Sequence, residues 1–182
     1  KVVFRILIDV LDALDYAHTR CDDLGQPMAI VHRDANPRNI MVSTSGETKL
    51  IDFGVARATD RLERTRTNHF KGKVAYMAPE QVKGRDIDHR ADIFAIGLTL
   101  FELVTGVGAF RGLDQMQIMY RLVQDRLPSI DPIGPYTPLK RELQTVFQKA
   151  TAHEKEDRYR SAAEMRQALL EIATDIYTPA TP

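Results

Sequence analysis

The sequence predicts a mainly helical domain that carries one small β-hairpin. Three observations lead there. Residues 2–19 place Val3, Ile6, Leu7, Val10, Leu14 and Ala17 at three- and four-residue spacing, the stripe of an amphipathic helix. Residues 88–104 are apolar nearly all round, as in a helix buried at the centre of a helical domain. Two short apolar pieces, 39–42 and 49–52, flank Ser43-Thr44-Ser45-Gly46-Glu47, which is turn chemistry for a hairpin.

The other elements follow in order. Residues 21–27 are polar and broken by Gly25 and Pro27, so they form a loop, and 29–32 is a short apolar piece. Residues 59–73 hold many charges and three threonines with little periodicity, the signature of an exposed loop. Past Pro79 the chain turns helical, with amphipathic helices expected over 112–126, 137–152 and 161–174 and a polar tail or linker at 178–182. Within 112–126, Met116, Ile118, Met119 and Leu122 are expected to be core.

Composition narrows the function. The 182 residues suffice for one domain, or a large piece of one, with a real core. Lysine plus arginine and aspartate plus glutamate both number 25, so the balanced charge implies no nucleic-acid partner. A single cysteine, Cys21, excludes an internal disulfide framework and suits a cytoplasmic location. The longest apolar run, 93–104, is interrupted by Thr99 and Glu102 and falls short of the ~18 residues of a membrane span. Asp9, Asp12 and Asp15 in the opening stretch argue against a signal peptide. Lys1 already lies inside a helical pattern, so an upstream part is expected.

Chemistry concentrates in two strings and a triplet. His32-Arg33-Asp34-Ala35-Asn36-Pro37-Arg38-Asn39 puts a carboxylate five residues before an amide. Asp52-Phe53-Gly54 follows, and Ala78-Pro79-Glu80 closes the segment begun at Asp52. An isolated Asp or Asn is usually a turn or cap residue. Held jointly, Asp34 is placed to orient or accept the proton of a hydroxyl, while Asn39 and Asp52 offer the hard oxygen donors that suit Mg²⁺. Gly54 lets the backbone turn directly after Asp52 and Phe53.

Together these strings resemble the catalytic loop (32–39), metal-binding turn and activation segment (52–80) of eukaryotic-like protein kinases of the bacterial serine/threonine type. The resemblance runs from Val2 to about Ile172. It implies the C-terminal lobe of a kinase catalytic domain over 1–177, with a helical subdomain at 88–174. It also implies ATP and Mg²⁺ as cofactors, protein substrates, Asp34 as the catalytic carboxylate, and Asn39 and Asp52 as metal-holding residues. By the same resemblance, Met41 lies at the floor under adenine, and His32 and Phe53 are layers of an aligning hydrophobic stack. Asp92 would hold the catalytic-loop backbone, a helix cap being the plainer role for it, and Glu80 and Arg158 would form an ion pair. Arg33, Thr65 and Thr67 match a switch in which loop threonines are phosphorylated and paired by arginine.

The departures are as informative. Serine/threonine kinases place a lysine two residues after the catalytic Asp, where this chain has Asn36, and a threonine after the glycine matching Gly72, where it has Lys73. Arg38 matches a tyrosine-kinase arginine that does the lysine's work, and is the preferred substitute; Lys73 reaching across the cleft is the alternative. No glycine-rich loop, strand lysine or partner glutamate helix precedes residue 32, so the N-lobe is expected to be missing from this stretch and the fragment alone to be essentially inactive. The competing reading is a pseudokinase or isolated docking lobe. Retention of Asp34, Asn39 and Asp52 weighs against it.

Overall fold

A computed structural model describes residues 2–53 and 70–177. Helix α1, Val2–His18, turns its apolar stripe inward and buries Leu7, Leu11 and Leu14 completely. Full burial of each such side chain stabilises by about 1.5–3 kcal/mol. The helix packs mainly against α7, Ala162–Tyr177, and against the short strand Thr48–Leu50.

The centre of the domain is α4, Arg90–Thr105, which packs on α6, Lys140–Ala150, and on α1. Twelve of its residues, from Ala91 to Val104, are buried, which is why no polar face is visible in its sequence. Close approach to α6 depends on Gly97: a Cβ there would stand 2.6 Å from Thr151 Cγ2 and 3.0 Å from Ala150 Cβ. The helix starts at Arg90 and Asp88 lies outside it, accepting the Arg90 N–H at 2.9 Å. Asp92, inside the first turn, is therefore free of capping work.

The hairpin pairs β1, Ile40–Val42, with β2, Thr48–Leu50, antiparallel, Met41 opposite Lys49. Its turn is closed by Ser43 and Glu47, the Ser43 N–H donating to the Glu47 carbonyl at 2.9 Å. Residues 29–32 belong to no helix or strand, and Ala29 lies in the left-handed region at φ +47°.

Two expectations need correction. The end of the charged stretch 59–73 is not loop: Phe70–Lys73 forms one helical turn, α2, followed by a 3-10 turn at Val74–Tyr76 and the short helix α3, Pro79–Val82. Helix α5, Gln115–Val123, buries Ile118 and Leu122, but Met116 is 73% exposed. At nine residues α5 can turn only one narrow stripe to the core, and Met116 lies off it. No helix among the described residues is long and apolar enough to cross a membrane.

Candidate active site

The loop between α1 and β1 is held from below by one carboxylate. Asp92, 1% exposed, accepts the backbone N–H of His32 at 2.8 Å and of Arg33 at 2.7 Å. The Nε2 of His18, at the end of α1, donates to the same carboxylate at 2.8 Å. A buried carboxylate needs donors, and three converge on this one. They also hold Arg33 in the left-handed region, φ +64°, which a non-glycine residue adopts only when its surroundings impose it.

His32 is fully buried and satisfies both ring nitrogens: Nδ1 accepts from the Asp34 N–H at 3.3 Å and Nε2 donates to the Ile51 carbonyl at 2.9 Å. Its ring lies 4.5 Å from that of Phe53, centroid to centroid. The loop and the turn at Asp52 are thereby fixed to each other. A further link is the Ile51 N–H, which donates to the Asn39 carbonyl at 2.9 Å.

Within this frame Asp34 is strongly oriented. Its carbonyl accepts from Asn36 Nδ2 at 2.9 Å and from Asn39 Nδ2 at 2.8 Å, and its Oδ1 accepts from Asn36 Nδ2 at 3.0 Å. Its Oδ2 is 2.7 Å from the Lys73 ammonium. Asn36 Oδ1 takes the Arg38 N–H at 3.0 Å and starts the 3-10 turn Pro37–Asn39. With its Nδ2 committed to Asp34, Asn39 keeps its amide oxygen for another partner. Asp52 stands one residue past the Asn39–Ile51 link, exposed, at φ +59°. A neutral and an anionic oxygen donor fit Mg²⁺, which takes one or two protein ligands and completes its shell with phosphate oxygens and water.

Arg38 extends towards the Gly72 backbone. Its guanidinium occupies the space beside Gly72, where a Cβ would overlap Nη1, Nη2 and Cζ. It also lies near Tyr76, whose hydroxyl donates to Glu102. Burial and that Glu102 contact push the Tyr76 phenol well above its ordinary value, with Arg38 partly opposing. Met41 is 54% exposed on β1. Arg33 is exposed. Thr65 and Thr67, with Gly54, lie outside the described residues.

Glu80 and Arg158 form a buried bidentate pair at 2.7 and 2.8 Å. The guanidinium also donates to the carbonyls of Ala152, Arg90 and His153 and lies 4.9 Å above the Phe94 ring. Sequence reasoning missed two connectors. His18 reaches Asp92 across 74 residues, and Gln81 accepts from the Ala78 N–H at 2.9 Å while donating to the Arg33 carbonyl at 3.2 Å. A terminal helix His and a mid-helix Gln carry no local signal of such contacts.

Asp34 and Asn39 thus stand on the loop anchored by Asp92, and Asp52 stands on the turn that the His32–Ile51 and Ile51–Asn39 bonds fix to it. The chain belongs to the protein kinase family, whose protein kinase domain matches residues 1–170. It is 42% identical over 168 residues to the tyrosine-protein kinase MasK of Myxococcus xanthus, covering 92% of this chain and 26% of that protein. It is 38% identical over 170 residues to a probable serine/threonine-protein kinase PknB of Lactococcus lactis, covering 93% and 25%. To the serine/threonine-protein kinase PknB of Mycobacterium tuberculosis H37Rv it is 34% identical over 177 residues, covering 94% and 26%. The chain spans about a quarter of the length of these curated relatives.

Proposed function

We propose that this chain is the helical lobe of an ATP- and Mg²⁺-dependent protein kinase acting on serine and threonine hydroxyls of cytoplasmic proteins. The observation that carries the reading is Asp34. Its main chain is held by Asn36 and Asn39, and the whole loop hangs from Asp92. A carboxylate so fixed can orient a hydroxyl and take its proton without reorganising during the reaction. Asn39 and Asp52 would hold Mg²⁺, which supplies charge neutralisation and orientation of the β- and γ-phosphates.

Completion by a nucleotide-binding lobe of the same parent chain is part of the proposal. A groove of about 910 Å³ between α1 and the hairpin, lined in part by Tyr16, Met28, Ile30 and Phe53, offers apolar surface for it. Met41 on the same hairpin would then face adenine. Serine and threonine are favoured by the stretch from Gly72 to Glu80 and by Pro37, whereas Arg38 points towards tyrosine. Exposed Arg33 could pair a phosphate on Thr65 or Thr67, ordering the segment.

The test is transfer of labelled γ-phosphate by the complete kinase, with Asp52→Asn as control, followed by phosphosite mapping and phosphoamino-acid analysis. Label on Thr65 or Thr67 that disappears in the control supports the full reading. Nucleotide binding without transfer to any protein would leave only a docking lobe.

A further inference from the structure

By the kinase resemblance, the loop lysine that would meet the γ-phosphate is replaced here by an uncharged side chain. Asn36 stands in that place, 5% exposed, with both ends of its amide spent on the loop: Nδ2 on Asp34 and Oδ1 on the Arg38 N–H. The Arg38 guanidinium is lodged beside Gly72. Lys73, by contrast, brings its ammonium to 2.7 Å from Asp34 Oδ2, with the two side chains only 16% and 18% exposed. It does so from the end of α2, on a different segment of the chain.

We infer that Lys73 supplies the missing cation: it neutralises Asp34 in the resting site and contacts the γ-phosphoryl oxygens once nucleotide and hydroxyl are bound. The inference rests on the kinase reading and deepens it. In the step concerned, the acceptor hydroxyl oxygen bonds to the γ-phosphorus and the bond from that phosphorus to the β–γ bridging oxygen breaks. The hydroxyl proton passes to Asp34, and the electron pair of the broken bond stays on the departing diphosphate. Lys73 keeps its proton throughout. Its role is to balance the charge on the equatorial oxygens, where a fixed cation in a partly desolvated site is most effective.

The origin of this cation matters as much as its charge. A lysine on the catalytic loop would be present whatever the activation segment did. Lys73 is present only when the segment from Phe70 to Tyr76 is folded against Arg38 and Glu102. Arg38 is therefore a positioning residue, and correct folding of the segment delivers part of the chemistry.

The experiment uses the full kinase with Lys73→Met, Lys73→Thr and the exchange Asn36→Lys/Lys73→Thr. Lys73→Met should lower kcat by about 100-fold, the range seen for loss of one transition-state donor, with the KM for ATP changed less than about threefold. The exchange variant should recover at least about tenfold over Lys73→Thr, which a structural role for Lys73 would not produce. A second readout is binding: wild type should prefer a non-hydrolysable Mg-triphosphate analogue over Mg-ADP, and Lys73→Met should lose that preference while melting within about 3 °C of wild type. Near-wild-type kcat in Lys73→Met, or an exchange variant no better than Lys73→Thr, overturns the inference and leaves the kinase reading intact. A wild type that binds the analogue but transfers no phosphate overturns the kinase reading, and the binding comparison still decides whether Lys73 meets the terminal phosphate. Absence of nucleotide binding overturns both.

Discussion

The guanidinium of Arg38 fills the space that a Cβ on Gly72 would need. The Arg38 side chain, four residues after Asp34, and the backbone of α2 are thus packed as one unit. Gly72→Ala must displace the tip of a flexible side chain and not main chain, so the fold should lose under about 1 kcal/mol. Activity should fall more steeply, by about tenfold, because Lys73 is the next residue. Combining Gly72→Ala with Arg38→Ala should show coupling of about 1 kcal/mol in a double-mutant cycle on kcat, against near-additive melting temperatures. Strict additivity in kcat would separate the two positions.

Among the described residues, Arg158 alone meets the Glu80 carboxylate with two parallel bonds, and both side chains are buried. Arg158→Met leaves a buried carboxylate and should cost about 3–5 kcal/mol in denaturant unfolding. Replacing both, Glu80→Gln with Arg158→Met, should be milder than the single change. If the double variant is the worse of the two, the cost comes from the three carbonyls that Arg158 also serves.

At Gly97 the limit is steric. Gly97→Ala would drive a methyl into Thr151 Cγ2, at 2.6 Å, and should destabilise by about 1–3 kcal/mol through overpacking. Thr151→Ser removes that methyl and keeps the hydroxyl that donates to the Phe147 carbonyl at 2.7 Å. In the Gly97→Ala background it should restore part of the loss. Chemical denaturation of the four proteins is the check.

Acid should weaken the corner around Asp88. Burial works to raise this carboxyl, but hydrogen bonds from the Arg90 side chain and backbone and from Lys155 outweigh it and hold it well below the usual carboxylate range. A pKa depressed by folding contributes stability that is complete above the unfolded value of about 4 and is lost as pH falls through the folded value. Melting temperatures of wild type and Asp88→Asn should therefore differ at pH 6 and converge between about pH 4 and pH 2. The side chain is about a third exposed, so salt should shrink the difference. A gap that persists unchanged at low pH would assign it to capping of Arg90 and not to charge.

The helices were legible because burial writes its period into sequence. Leu7, Leu11 and Leu14 give α1 its stripe, and the unbroken apolar composition around Ile93 to Val104 marks α4 as central. Asp34, Asn39 and Asp52 were singled out by their joint pattern and its kinase resemblance, and the structure sets the first two on one loop and the third on the turn bonded to it. What escaped depends on contacts made far along the chain. Nothing local chooses between Arg38 and Lys73, the two substitutes the sequence offered, or says that His18 ends its helix against Asp92. The left-handed backbone at Ala29, Arg33 and Asp52 is equally silent, since none of the three is a glycine that would signal it. Met116 misled because a nine-residue helix offers too few turns to tell core face from solvent face.

The suspension of the loop from Asp92 has a consequence for how such a site can change over evolutionary time. The groups it holds in the loop are main-chain amides, which every residue but proline possesses. The path of residues 32 and 33 is thus set from α4 through main-chain amides. The side chains of Asn36 and Asn39 still shape the turn after Asp34, but they need not fix the path of the two residues before it. Under that arrangement a charged group can be lost from one segment and regained on another without the scaffold drifting between the two events. The juxtaposition of Asn36 with Lys73 is the kind of relocation that a main-chain anchor permits.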